Sequence, residues 1–261
     1  MKICFYGAGN IAQAIIEGLL KANFGSHNIA CIERNPEKIE SLQLKNIRVL
    51  SKEELSDNRF DFIILAVKPK DAIRGASDIL SITPNANILS VVAGITLEKY
   101  SDPTRIIRSM PNTASAFNKG ITALYSENQE DPVFRSAVNL FKNVGHVIEL
   151  KKEDDIHSFT SIIGSGQAFL FRVLKIYLEE LKQLNENKDE TASEMFKDFV
   201  GSLGDLFEQE PDFDMLIGKI RSPGGTTEAG LNSLESNNID SIFKAAFQAA
   251  SDRSTQISNE N

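Results

Sequence analysis

The chain has 261 residues, enough for two ordinary domains with real cores, and its 41% apolar and 25% charged residues describe a globular protein. A formal net charge of −8 excludes the basic face that nucleic-acid binding requires. No apolar run reaches the roughly 18 residues of a membrane span, and Met1-Lys2 leads straight into a strand, so no membrane partner and a cytoplasmic setting are expected.

In chain order, Ile3-Cys4-Phe5-Tyr6 reads as a strand buried on both faces. Gly7-Ala8-Gly9-Asn10-Ile11-Ala12 follows at once, and Ile11, Ala14, Ile15, Gly18 and Leu19 then repeat at helical spacing. A strand, a Gly-rich turn and a helix are the context of the dinucleotide fingerprint. Gly7 permits the tight turn, Gly9 lets the backbone approach a pyrophosphate, and Ala12 stands in place of a third glycine. Gly7, Gly9, Asn10 and Ile11 are therefore candidate cofactor contacts. The second strand, Ile29-Ala30-Cys31-Ile32, ends in Glu33-Arg34-Asn35, and Pro36 opens a helix. A strand-end acid suits the ribose 2′-hydroxyl of NAD, whereas Arg34 and Asn35 suit the 2′-phosphate of NADP. The signals conflict, and the expectation is NADPH with NADH accepted. Cys4 and Cys31 read as core thiols, neither a disulfide nor a metal site.

Further strands are expected at residues 47–50, 62–67, 88–92 and 105–110, and Ser51-Lys52-Glu53-Glu54 has capping-box spacing. Pro69 stops the fourth strand. Ligands of open parallel sheets bind beyond the carboxyl ends of the strands, so the loops at Gly7, Glu33, Val67, Ala93 and Met110 should share one edge. A strand at 121–125, a helix from Asp131-Pro132 to about Asn143 and a strand at 147–149 complete a first domain. After Lys152 only helical periodicity remains, over 156–163, 167–184, 191–209, 213–220, 226–233 and 239–258. The expected breaks are Gly164-Ser165-Gly166, Asn185-Glu186-Asn187, Pro211 and a Pro-Gly-Gly turn, and the polar tail from Ser258 should fray. The fold class is α/β: a Rossmann-type doubly wound sheet over 1–152, then an all-helical substrate and dimerisation domain over 153–261.

Ser222-Pro223-Gly224-Gly225-Thr226-Thr227 is the most informative stretch of that second half. A Gly-rich turn feeding a helix leaves backbone N–H groups pointing one way, a site for a small carboxylate, with two hydroxyls beside it. Alone, Pro-Gly-Gly is an ordinary turn. In company the motifs are specific: Gly7-Ala8-Gly9-Asn10, Ala66-Val67-Lys68-Pro69, Arg108-Ser109-Met110-Pro111-Asn112-Thr113 and Ser222 to Thr227, in that order, resemble the pyrroline-5-carboxylate reductase family. Gly164-Ser165-Gly166 resembles a fifth block.

That resemblance implies an NAD(P)H-dependent oxidoreductase acting on the C=N bond of 1-pyrroline-5-carboxylate in proline biosynthesis, and a homodimer or higher homo-oligomer. It implies cofactor contacts at Ala66, Val67, Lys68, Pro69 and Ala93. It places the substrate at Ser222, Gly224, Gly225, Thr226 and Thr227, with Glu153 and Lys219 as further contacts. Thr227 is the catalytic candidate, its hydroxyl meeting the ring nitrogen. Gln167, Phe169, Arg221 and the acidic region 185–211 depart from the family pattern. Reducing a cyclic imine needs a hydride donor, a grip on the carboxylate and stabilisation of the iminium, and no nucleophile or metal. His27, His146 and His157 are scattered, and each reads as structural or solvated. Two alternatives stand beside this reading: another imine or hydroxy-acid reductase of the same architecture, and a non-catalytic dinucleotide-binding protein.

Overall fold

Residues Ile3, Phe5 and Cys4, Tyr6 alternate between two cores, which is why β1 (Ile3–Tyr6) carries no polar position. The computed structural model describes residues 1–184 and 189–260. Along the first half, β1 is followed by α1 (Asn10–Lys21), β2 (Ile29–Ile32), α2 (Pro36–Leu44), β3 (Arg48–Val49), β4 (Phe62–Leu65), α3 (Pro69–Ile82) and β5 (Ile88–Ser90). Then come β6 (Ile106–Met110), β7 (Gly120–Tyr125), α4 (Pro132–Lys142) and β8 (Gly145–Glu149). One eight-stranded sheet runs in the order β3-β2-β1-β4-β5-β6-β7-β8. Every neighbouring pair is parallel except β6–β7. Ile15 and Leu19 of α1 with Phe134 and Phe141 of α4 cover one face, and Ala72, Ala76 and Ile79 of α3 cover the other.

The strand order reverses between β1 and β4, so a crevice opens beyond their carboxyl ends, the place where doubly wound sheets bind ligands. Ser51 and Glu54 cap each other reciprocally, as their spacing implies: the Ser51 N–H donates to Glu54 at 2.7 Å, and the Glu54 N–H to the Ser51 hydroxyl at 3.4 Å. Cys4 and Cys31 are buried and free. Burial drives both thiols up, Cys31 to about 12, so neither is a nucleophile at neutral pH.

The described elements of the rest of the chain are helical: α5 (Asp155–Phe159), α6 (Gly166–Leu184), α7 (Asp189–Gln209), α8 (Phe213–Ile220), α9 (Thr226–Ser236) and α10 (Ile239–Glu260). Two compact units result. Met1–Gly164 and Ala250–Asn261 form the first, and Ser165–Ala249 form the second. Among the described residues no helix is long and apolar enough to cross a membrane.

Two expectations are corrected. Gly164-Ser165-Gly166 is not a break: π-helical turns occupy Thr160–Ser165 and α6 begins at Gly166. The Thr160 hydroxyl bonds the Ile156 carbonyl at 2.7 Å and the Ser161 hydroxyl that of Ser158 at 2.8 Å, and such side-chain competition widens a helix locally. The tail does not fray either, because α10 runs to Glu260 and buries Ser254 and Ser258. The Lys99 ammonium donates to the Ser258 carbonyl, and Ile257 fills the space over Gly94. The expected break at Asn185-Glu186-Asn187 lies outside the described residues.

Candidate active site

In the first unit, two glycines do different things. Gly7 has φ +97°, and a Cβ there would stand 2.6 Å from the Ala66 carbonyl oxygen. Only glycine lets β1 turn beside β4 at that point. Gly9 has no atom closer than that same oxygen at 4.0 Å, so open space lies over it. It is also the N-cap of α1 and offers no side chain to the helix. The first-turn N–H groups of Asn10, Ile11 and Ala12 are thus without an intrahelical acceptor, and with the helix dipole they form an anion site. A pyrophosphate fits this open cradle.

Glu33, Arg34 and Asn35 divide their tasks. One carboxylate oxygen of Glu33 accepts the Ala8 N–H at 2.9 Å, and the other accepts the N–H groups of Arg34 at 2.8 Å and Asn35 at 3.1 Å. Burial acts to raise this carboxyl, but the N–H groups of Asn35, Arg34 and Ala8, with Lys38 beyond them, hold it below its ordinary value. Asn35 is the N-cap of α2, its side chain accepting the Lys38 N–H at 3.1 Å. Glu33 ties the second loop to the first, and Asn35 starts a helix. Of the three, Arg34 turns towards a cavity a side chain that has no hydrogen-bond partner among the described residues.

That cavity, of about 360 Å³, also meets Tyr6, Lys52, Val67 and Arg74. The sequence reading missed Lys52 and Arg74. Lys52 was absorbed in the capping box, and α3 went unread although Pro69 sits at its first turn and Ala72, Ala76 and Ile79 repeat at helical spacing. Lys68 is the N-cap of α3, exposed, with no capping bond. Ala93 is exposed beyond β5, just before Gly94 at φ +75°.

Glu153 has an internal task. Its Oε1 accepts from Nη1 of the buried Arg108 at 2.8 Å and from the Leu97 N–H at 2.7 Å. Nearby, His157 is buried with Nδ1 2.9 Å from the Ser254 hydroxyl. Burial pushes its imidazole below the ordinary value, and Arg108 acts in the same direction. His146 and His27 are exposed. Among the described residues no group of three or more His, Cys, Asp or Glu could hold a metal.

The second unit carries the Pro-Gly-Gly loop. Gly224 adopts φ +71°, and its N–H donates to the Glu228 carboxylate at 2.8 Å. The Gly225 N–H donates to the Ser222 carbonyl at 3.0 Å. Two glycine donors expected to meet an anion are therefore used inside the loop. Gly225 is the N-cap of α9 without a side-chain cap, so the first-turn donors left open are those of Thr226, Thr227 and Glu228. The hydroxyls of Thr226 and Thr227 have no partner among the described residues, so neither is a helix cap. Lys219 of α8 bonds Glu210 at 3.2 Å. Phe169, a departure from the family pattern, meets Phe247 with ring centroids 5.7 Å apart.

Comparison with known proteins agrees along the whole chain. A family model described as pyrroline-5-carboxylate reductase dimerisation matches residues 153–257, and one described as NADP oxidoreductase, coenzyme F420-dependent, matches residues 2–94. The pyrroline-5-carboxylate reductase of Staphylococcus haemolyticus is 33% identical over 271 residues, covering 99% of this chain and 98% of that protein. Among solved structures, a pyrroline-5-carboxylate reductase from Coxiella burnetii superposes with a TM-score of 0.85 at 28% identity, over 98% of both chains. The 1-pyrroline-5-carboxylate reductase of Streptococcus pyogenes gives 0.76 at 25% identity, again over 98% of both chains. With this full-length identity to a curated relative, the chain belongs to the pyrroline-5-carboxylate reductase family.

Proposed function

We propose that the protein reduces 1-pyrroline-5-carboxylate to L-proline with NADPH, accepting NADH less well. The observation that carries this reading is the start of α9: open N–H groups at Thr226 and Thr227 beside two hydroxyls with no partner among the described residues. A small carboxylate suits the N–H groups and a ring nitrogen suits a hydroxyl, a pairing that a cyclic imino acid supplies. When bound, the nicotinamide supplies the hydride. The chain's part is to bind and orient. Gly7, Gly9 and the first turn of α1 hold the pyrophosphate, with Ala66 to Pro69 and Ala93 along the same sheet edge. Thr227 holds the imine nitrogen, and the substrate brings its own proton as the iminium. Glu153 and Lys219 are further candidate substrate contacts, the first paired with Arg108 and the second with Glu210. Initial rates of NADPH and NADH oxidation, each with and without pyrroline-5-carboxylate, test this. Turnover with a 2-hydroxy or 2-oxo acid instead would replace the substrate, and binding without turnover would leave only a dinucleotide-binding protein.

We further infer that the second unit pairs with a second copy. Among its described residues only Gly166 and Ala192 are buried, while Tyr177, Met195 and Phe199 are about half exposed. These three line an apolar groove of about 400 Å³. Light scattering should give at least twice the chain mass of 28.8 kDa. The two unpaired thiols favour a cytoplasmic setting.

A further inference from the structure

The cavity beyond β2 holds more positive charge than the Glu33-Arg34-Asn35 motif accounts for. Arg34, Lys52 and Arg74 line it, against Asp71 and Asp78. It adjoins a smaller space of about 120 Å³ bounded by Gly7 and Glu33, with Tyr6, Arg34, Lys52 and Val67 common to both. Lys52 and Asp78 offset each other: the ammonium bonds the carboxylate, lies over the Tyr6 ring at 5.3 Å, and the Tyr6 hydroxyl donates to the same carboxylate at 3.3 Å. That trio is a fixed, neutral floor.

Arg34 and Arg74 are not bonded in this way, although the Asp78 carboxylate also draws Arg74 by charge. Neither guanidinium has a hydrogen bond or ion pair among the described residues, and they come from different elements. Packing explains why Arg74 is there. A Cβ at Gly75 would lie 3.0 Å from Leu65 Cδ1 and 3.4 Å from Tyr6 Cε1, so α3 lies close on β1 and β4 and brings the preceding residue to the cavity. Two guanidinium groups on one cavity repel each other until an anion with several oxygens lies between them. A phosphate monoester, with oxygens for a forked donor on each side, meets that need, and a ribose hydroxyl does not.

We propose that Arg74 is a second specificity-determining residue for NADPH, holding the adenosine 2′-phosphate together with Arg34 over the Lys52–Asp78 floor. This rests on the NADPH reading given above. Asp71, whose carboxylate shares the cavity, acts against the same phosphate.

The test is calorimetric titration of the full chain with 2′,5′-ADP and with 5′-AMP, which needs no turnover. The wild type should favour 2′,5′-ADP by about tenfold or more, the scale of charge-assisted hydrogen bonds. Arg74→Ala should remove most of that preference and leave 5′-AMP affinity within about twofold. Arg74→Gln keeps most of the packing and should show the same loss, which separates charge from folding. Asp71→Asn should shift affinity the other way, tightening 2′,5′-ADP by roughly twofold to threefold. If the wild type discriminates and both Arg74 variants discriminate equally well, Arg74 has no such role while the NADPH reading stands. If the wild type does not distinguish the two nucleotides, the NADPH reading and this proposal fall together.

Discussion

The carboxylate of Glu228 accepts the Gly224 N–H at 2.8 Å, and its other oxygen lies 3.8 Å from Nε of Arg221. The Pro-Gly-Gly loop is thereby tied by side chains of its own chain, and Arg221, which departs from the family pattern, gains a partner. The tie holds Gly224 at φ +71° but sets a negative charge beside a site for an anion. Glu228→Gln can still accept the N–H without that charge. Its KM for pyrroline-5-carboxylate should fall roughly threefold, matching about 0.7 kcal/mol between unit charges some 6 Å apart in water. Glu228→Ala loses the tie and should raise KM. Equal KM values in all three proteins would show the tie to be idle.

Arg34 and Glu33 should fail differently. Arg34→Ala should weaken NADPH about tenfold or more while NADH moves within about twofold, because only NADPH carries the 2′-phosphate. Glu33→Gln should weaken both, since the lost contact is the one holding the Ala8 loop. The Glu33 carboxyl is held below its ordinary value in the folded chain, so its stabilisation is present above about pH 4.3 and fades as pH falls through the folded value. Urea denaturation should find wild type more stable than Glu33→Gln at pH 7, with the gap closing on acidification below roughly pH 4.

His157 has the opposite sign. Its imidazole is held below its ordinary value, so the unfolded chain takes up a proton near pH 6.5 before the folded chain does. Stability should therefore decline as pH falls from about 7.5 to 5.5, by at most about 1.4 kcal/mol per pH unit. His157→Gln should decline less over that range. Identical slopes for the two proteins would remove His157 from the pH dependence.

Thr227→Ala should lower kcat/KM for the imine by about 10- to 100-fold, or about 1.4 to 3 kcal/mol, the scale of a hydrogen bond to a charged group. Thr227→Ser keeps the oxygen and should lose much less. NADPH affinity should hardly move in either, since the dinucleotide contacts belong to other loops. Near-full kcat/KM in Thr227→Ala, or a loss confined to NADPH binding, would take Thr227 out of the chemistry.

The sheet was legible because its strands are buried on both faces and read as unbroken apolar runs between turn residues. The Pro-Gly-Gly loop was legible because Pro223, Gly224 and Gly225 punctuate one place, and Thr226 opens a helix there. What stayed hidden depends on partners distant in sequence. The polar tail gives no sign that Ser254 meets His157, or that Ile257 fills the space over Gly94. Nothing local shows the bond of Glu33 to Ala8, 25 residues away. Arg74 and Lys52 come to line one cavity only once α3 has folded back on β1 and β4. The π-turns coincide with hydroxyl bonds of Thr160 and Ser161 that helical periodicity does not encode.

Hydride transfer to the imine carbon is the central claim, and isotope transfer tests it most directly. The protein is incubated with pyrroline-5-carboxylate and NADPH carrying deuterium at both nicotinamide C4 positions, and the product is read by mass spectrometry. The expected result is L-proline carrying one deuterium on the δ carbon, formed one for one with NADPH consumed. Consumption of NADPH without deuterated proline, or no consumption at all with correctly folded protein, would contradict it.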